Sequence, residues 1–175
     1  MNKTSLFKIF LVGLIAMSLG ITINKYYGEH RSSNKDMPTN LLFNTSLPDK
    51  FGSMIPLSDY KEQWILINFW ATWCEPCREE IPELNEFYEN NKKITLIGIA
   101  IDEVALVKEY TETVPLHYIS LISDMSGVAL SKSLGNNRGV LPFSVLISST
   151  GEIKSTFLGK LTRNDLIQII PSFVD

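Results

Sequence analysis

Residues 64–80, WILINFWATWCEPCREE, hold the only two cysteines of the chain, Cys74 and Cys77. Trp64 to Trp70 is a short apolar run rich in β-formers, which predicts a strand buried on both faces and therefore central in a sheet. From Glu75 to Asn90 the period changes. Ile81, Leu84, Phe87 and Tyr88 recur at helical spacing, and acidic residues gather in the first turns, where the helix dipole favours them. The cysteines thus fall where a strand hands over to a helix. There, orphan backbone N–H groups and the positive end of the dipole stabilise a thiolate and make the thiol a nucleophile. Cys74 is expected to stand exposed and attack, while Cys77, one turn inward, resolves the mixed disulfide. Pro76 fits the first helical turn, where a missing N–H is tolerated.

Other uses of two cysteines fit less well. A bridge over so short a loop gives only about 2 kcal/mol by chain entropy, so a structural staple would span further. Zinc needs two more ligands, and the only histidines, His30 and His117, offer no paired spacing. Covalent haem attachment needs a histidine directly after the second cysteine, where Arg78 stands. The expectation is a redox-active Cys74–Cys77 disulfide with no metal and no further cofactor.

Working outward, Ile94 to Ile101 reads as a second buried strand, Val104 to Tyr110 as a helix ending before Pro115, and Tyr118 to Ile122 as a third strand. A short helix from Ser126 to Leu134 stops at Gly135, and a polar loop, Asn136-Asn137-Arg138-Gly139, follows. Phe143 to Ser148 and Glu152 to Leu158 are strands joined by Ser149-Thr150-Gly151, a hairpin signal that predicts antiparallel pairing. Arg163 to Phe173 is helical, with Thr162 as its N-cap. Strands alternating with helices and ending in a hairpin plus helix predict an α/β fold whose mixed central sheet is covered on both faces. A chain of 175 residues, 45% hydrophobic and 20% charged, suits one globular domain behind a targeting segment. With 16 basic residues scattered among 19 acidic ones, there is no broad cationic surface, and nucleic acid is not an expected partner.

The N-terminus has a different character. Lys3 and Lys8 lead into an uncharged run from Ile9 to Ile23, the pattern of an export signal or anchor. Ala16-Met17-Ser18 is a mediocre cleavage site inside that run, so an uncleaved signal-anchor over residues 1–24 is preferred to a cleaved signal and a soluble periplasmic product. The run reaches the ~20 residues of a membrane span only if Leu6 to Ile23 is counted and Lys8 snorkels to the surface. Lys25, Arg31 and Lys35 blunt the charge asymmetry, and export is read from the complete domain that follows an N-terminal apolar segment. Residues 25–40, with Gly28 and Pro38 as breakers, read as a polar tether, leaving residues 41–175 as the folded domain on the extracytoplasmic side.

The segment from Asn68 to Glu80 resembles the active-site region of the thioredoxin superfamily, and its Glu75-Pro76 dipeptide is similar to that of the TlpA and ResA type. Val140-Leu141-Pro142-Phe143 is similar to the cis-proline loop that faces the disulfide in that family. The resemblance runs from about Leu41 to the end of the chain and implies a thioredoxin-like three-layer α/β/α fold. The unit from Val104 to Ile122 corresponds to an element added in this branch. It also implies that a cis Pro142 turns the backbone edge of Leu141 toward an extended substrate segment. Trp73 is then part of the substrate surface, and Glu80, like Glu75 and Pro76, tunes the redox pair. Asn68 replaces the buried aspartate of cytoplasmic thioredoxins, as in the TlpA and ResA type.

Glu75 between the thiols, with Glu79 and Glu80 beyond, opposes the thiolate that the helix end favours, and a less stabilised thiolate makes a more reducing couple. Together with the resemblance, this implies an exported reductase fed by a membrane thiol-electron donor, with an oxidised cysteine pair in apocytochrome c or another exported protein as client. One alternative is a general periplasmic disulfide oxidase. Another, of a different class, is a non-catalytic copper-handling module using Cys74 and Cys77 as soft ligands, which needs His117 or Met125 close to the pair.

Overall fold

The computed structural model describes residues 38–169, together with Met17. The anchor expected over residues 1–24 (Met17 apart), the tether as far as residue 37 and the end of the last helix lie outside the described residues. Among the described residues no helix is long and apolar enough to cross a membrane. The packed chain includes Thr39, fully buried, whose hydroxyl donates to the Gly151 carbonyl at 2.7 Å.

The chain enters through a single-turn helix α1 (Asn40–Phe43), a small antiparallel hairpin of β1 (Ser46–Pro48) and β2 (Met54–Pro56), and a 3-10 turn at Leu57–Tyr60. Then come β3 (Trp64–Trp70), α2 (Glu75–Asn90), β4 (Ile94–Ile101), α3 (Val104–Thr113), β5 (Ile119–Ser123), α4 (Ser126–Ser133), β6 (Phe143–Ile147), β7 (Ile153–Leu158) and α5 (Arg163–Ile169). The main sheet has the order β5-β4-β3-β6-β7. On one side β3 pairs in parallel with β4, and β4 with β5; on the other, β3, β6 and β7 pair antiparallel. β3 is the middle strand, as its continuous apolar run predicts.

Alternation of side chains along the strands divides the core into two faces. Ile65, Ile67 and Phe69 join Ile97, Ile99 and Val145 against Leu42 of α1 and Leu130 of α4. Leu66, Leu96 and Leu146 face the other way, onto Leu84 and Phe87 of α2 and Leu166 of α5. Toward the strand ends that face continues with Trp70, Ala100 and Ile122 against Ile81 of α2 and Val107 of α3. Helices therefore cover both faces, in the three layers that the resemblance implies.

Pro82 lies inside α2, where it removes the hydrogen bond to the Arg78 carbonyl, yet the helix runs on to Asn90. Burial of Ile81 before it and of Leu84 and Phe87 after it holds both halves on the sheet. The N-cap expected at Thr162 forms: the Asp165 N–H donates to the Thr162 hydroxyl oxygen, and the Thr162 N–H donates to the Asp165 carboxylate at 2.8 Å.

Between the two apolar clusters of the α2 face runs a row of small and polar residues. Ser120, Gly98, Asn68 and Ser144 stand opposite one another across β5, β4, β3 and β6. Gly98 is required there by close approach: a Cβ would lie 2.8 Å from Tyr118 Cε2 and 3.3 Å from Trp70 Nε1. Gly98→Ala is therefore expected to overpack this row and destabilise the fold by about 1–3 kcal/mol, read as a lower urea midpoint with unchanged slope.

Candidate active site

Cys74 is the N-cap of α2 and the last residue before the helix; its N–H donates to the Ala71 carbonyl, and its own carbonyl accepts the Arg78 N–H. Pro76 occupies the first helical turn. No side chain caps this helix end. Cys74 and Cys77 are joined as a disulfide, with Cα atoms 5.3 Å apart. Cys77 has no exposed surface and Cys74 only 6%. The expectation of an exposed Cys74 is thus corrected for the disulfide form: Trp70, Ala71 and Ile81 pack around the pair, with Leu141 against them, so only the order of the two sulfurs, Cys74 outermost, is as read.

The turn from β3 into α2 is fixed from the end of β4. One Asp102 carboxylate oxygen accepts the Thr72 N–H at 2.9 Å and the Thr72 hydroxyl at 2.6 Å, and the other accepts the Glu103 N–H.

Glu80 lies one turn beyond Cys77 on the inner side of α2 and is completely buried. Its Oε1 accepts the Asn68 side-chain amide at 2.7 Å, and its Oε2 accepts the Leu161 N–H at 2.7 Å. The same Asn68 amide also donates to the Ser144 hydroxyl. Burial raises the Glu80 pKa from its ordinary 4.5 to about 7, the two hydrogen bonds and nearby Lys160 only partly opposing it. The interior beneath the disulfide therefore does hold a carboxyl group, brought by the helix rather than by the strand position that Asn68 fills. Glu79 faces solvent and pairs with Lys160 at 3.0 Å.

The third element is the loop before β6. The Leu141–Pro142 peptide is cis. Leu141 packs against the cluster that holds Cys74 and Cys77, and among the described residues no backbone hydrogen bond engages its N–H or its carbonyl. Trp73, 68% exposed, stands beside the pair at the surface.

Residues 33–170 match the Redoxin family. The chain belongs to the Redoxin family. It is similar to two proteins named thiol-disulfide oxidoreductase ResA. One, from Geobacillus kaustophilus, is 33% identical over 123 residues, covering 69% of this chain and 68% of the relative. The other, from Bacillus cereus, is 28% identical over 164 residues, covering 92% and 91%. A thioredoxin-related protein from Neisseria meningitidis superposes with a TM-score of 0.65 at 27% identity, over 73% of this chain and 97% of the other. This Redoxin is thus a thiol-disulfide oxidoreductase of thioredoxin-like fold, of the ResA type.

Two residues that position the site of this Redoxin carry no motif. Asp102 reads as a surface carboxylate after a strand, although two of its bonds hold the turn before Cys74. Asn136 sits in a stretch that reads as a plain polar loop but is buried, its amide donating to the Val140 carbonyl at 2.9 Å while its oxygen accepts the Val140 N–H at 3.2 Å. It holds the approach to Leu141 and Pro142 as a neighbouring strand would. The copper reading loses a ligand: His117 pairs with Glu89, which lies 15 residues past Cys74 along α2, about 22 Å at the helical rise. Met125 is exposed, lining the same groove as Trp73.

Asn136→Ala leaves the Val140 N–H and carbonyl without their partner, so a loss of about 1–3 kcal/mol is expected in denaturant unfolding, with a lower kcat/KM toward disulfide-containing proteins. Glu80 gives a pH dependence of definite sign. Its folded pKa lies above the unfolded value, so its contribution is fully present below pH 4.5 and is lost as pH rises through 7. Wild-type unfolding free energy is expected to fall by about 2 kcal/mol more than that of Glu80→Gln between ~pH 5 and ~pH 8. Parallel curves for the two proteins would contradict the assignment.

Proposed function

We propose that this oxidoreductase is a reductase of disulfides in exported proteins. The observation that carries the reading is the acidic setting of the pair, with Glu75 between the two cysteines in sequence and Glu80 buried one turn inward. Ionised carboxylates disfavour a neighbouring thiolate, and a less stabilised thiolate belongs to a more reducing couple. In the reduced protein the Cys74 thiolate takes the uncapped end of α2.

It attacks one sulfur of the client disulfide, breaking that bond and forming a mixed disulfide, and the client's departing thiolate takes up a proton. Cys77 then gives up its proton and attacks the Cys74 sulfur, releasing the second client thiol and closing the Cys74–Cys77 disulfide. Two electrons pass to the client. Glu80 is the buried group on the same helix face that can hold the Cys77 proton near neutral pH. Trp73 and the open backbone edge of Leu141 beside Pro142 receive the client segment.

The client is an oxidised cysteine pair of an exported protein such as apocytochrome c, and a membrane thiol protein restores the dithiol. The N-terminal apolar run supports both assignments, since an anchor there keeps the domain beside the membrane on its outer side. The resemblance of the Glu75-Pro76 dipeptide to the TlpA and ResA type supports the same client.

Equilibration of Cys74–Cys77 against a thiol buffer tests the direction. A potential near the ~−270 mV of thioredoxin supports a reductase, and one near ~−120 mV marks an oxidase and overturns the proposal. Cys77→Ser is expected to accumulate a mixed disulfide with the client, and Cys74→Ser to form none.

A further inference from the structure

Beside the disulfide a groove of about 880 Å³ opens at the ends of β4 and β5. Trp73 and Leu141 line it together with Val104, Ile122 and Met125, and Ile122 and Leu141 also pack in the cluster that holds the cysteines. Trp73 is 68%, Met125 76% and Val104 47% exposed, so large apolar side chains are held in water around a concave surface. Exposed apolar surface gathered in this way marks a binding site rather than scattered surface residues.

The charged side chains lining the groove are all acidic: Asp102, Glu103 and Asp124, with no lysine, arginine or histidine among them. Asp102 is committed to the Thr72 turn. Asp124 lies at the surface, and the Ser126 N–H and hydroxyl hold its pKa below the usual value, which keeps it ionised. Apolar walls with carboxylates and no cations suit a segment that brings a bulky apolar side chain and a positive charge together. Leu141 links this surface to the chemistry, since it packs against the cluster around Cys74 and also lines the groove.

We infer that the groove selects the polypeptide flanking the client's disulfide, seating a bulky apolar side chain among Trp73, Val104, Ile122 and Met125 and a neighbouring lysine or arginine against Asp124 and Glu103. The inference rests on the oxidoreductase reading and deepens it, from disulfides in general to those next to an apolar-basic sequence. A client strand paired along Leu141, with its sulfur over Cys74, carries its flanking residues directly into the groove.

The test uses the full reduced chain and synthetic peptides that share one internal disulfide and differ only in the flank: Leu-Lys, Leu-Glu or Ser-Lys. The neutral 2-hydroxyethyl disulfide, which has no flank, serves as reference. The Leu-Lys peptide is expected to be reduced, in a single turnover, with a second-order rate constant about tenfold above that of either other peptide. The gap to Leu-Glu should narrow in 0.5 M salt and in Asp124→Asn, and the gap to Ser-Lys should narrow in Met125→Ser. Equal rates for the three peptides, or a preference for Leu-Glu, with normal reduction of the reference, would overturn the groove assignment and leave the oxidoreductase reading standing. Failure to reduce even the reference disulfide would overturn both.

Discussion

Between Trp70, the last residue of the central strand, and Glu75, the first of α2, four residues must turn the chain out of a buried sheet without leaving a buried backbone group unpaired. Asp102 meets that constraint from the neighbouring strand by accepting the Thr72 N–H and hydroxyl, and the Ala71 carbonyl accepts the Cys74 N–H. The rest of the site follows from this turn. A strand buried on both faces fixes where the turn starts, and a helix pinned by Ile81, Leu84 and Phe87 fixes where it ends. Cys74 is left as the N-cap, the one position where a sulfur meets both the open end of the helix and the molecular surface. Cys77 then has no choice but the interior.

Two electrostatic effects of opposite sign act on that pair. The helix terminus favours a thiolate by about 0.3–1 kcal/mol at an exposed site and up to ~2 kcal/mol where partly buried. The Glu80 carboxyl, raised to about 7 chiefly by burial, is partly protonated near neutral pH, and once ionised it disfavours a second negative charge nearby. The carboxyl therefore opposes the helix end, and it does so as a function of pH. Its hydrogen bonds explain why such a group is retained in the core. Asn68 and the Leu161 N–H both donate to it, so Glu80 joins β3, α2 and the segment leading into α5. An aspartate at position 68 would set a second carboxyl against Glu80, whereas Asn68 supplies the donor that Glu80 needs.

What could be read from the sequence was what depends on period. β3, β4 and α2 are buried along most of their length, and their apolar patterns announce them; the cysteines are legible because they fall where the period changes. The hairpin β1–β2 was not, because three-residue strands carry no period to read. Pro82 is a helix breaker by local rules and is outweighed by burial on either side of it. By period alone Glu80 reads as one more charge on an acidic helix; the resemblance singles it out as a tuning residue, and tertiary contact with Asn68 and Leu161 shows it as a buried group. Asn136 and Asp102 were silent for a related reason: they hold backbone atoms, and backbone partners leave no signature in side-chain spacing. A helix N-cap is usually open, which is why the sequence predicts an exposed Cys74, but in the disulfide form it is buried in one cluster with Trp70 and Ala71.

The same residues that silence the sequence join chemistry to recognition. Asp102 holds the turn before Cys74 and also lines the groove beside it. Leu141 packs against the cluster that holds the disulfide and also lines the groove. A segment seated in the groove therefore touches side chains that themselves set the position of the attacking sulfur, with no intervening layer to absorb a misfit. In a close-packed interior such contacts transmit displacement rather than dissipate it. Disulfide exchange needs three sulfurs nearly in line, so under the proposed groove assignment a client that fits these shared walls would be aligned for attack by the contacts that recognise it, and one that does not fit would be held out of line.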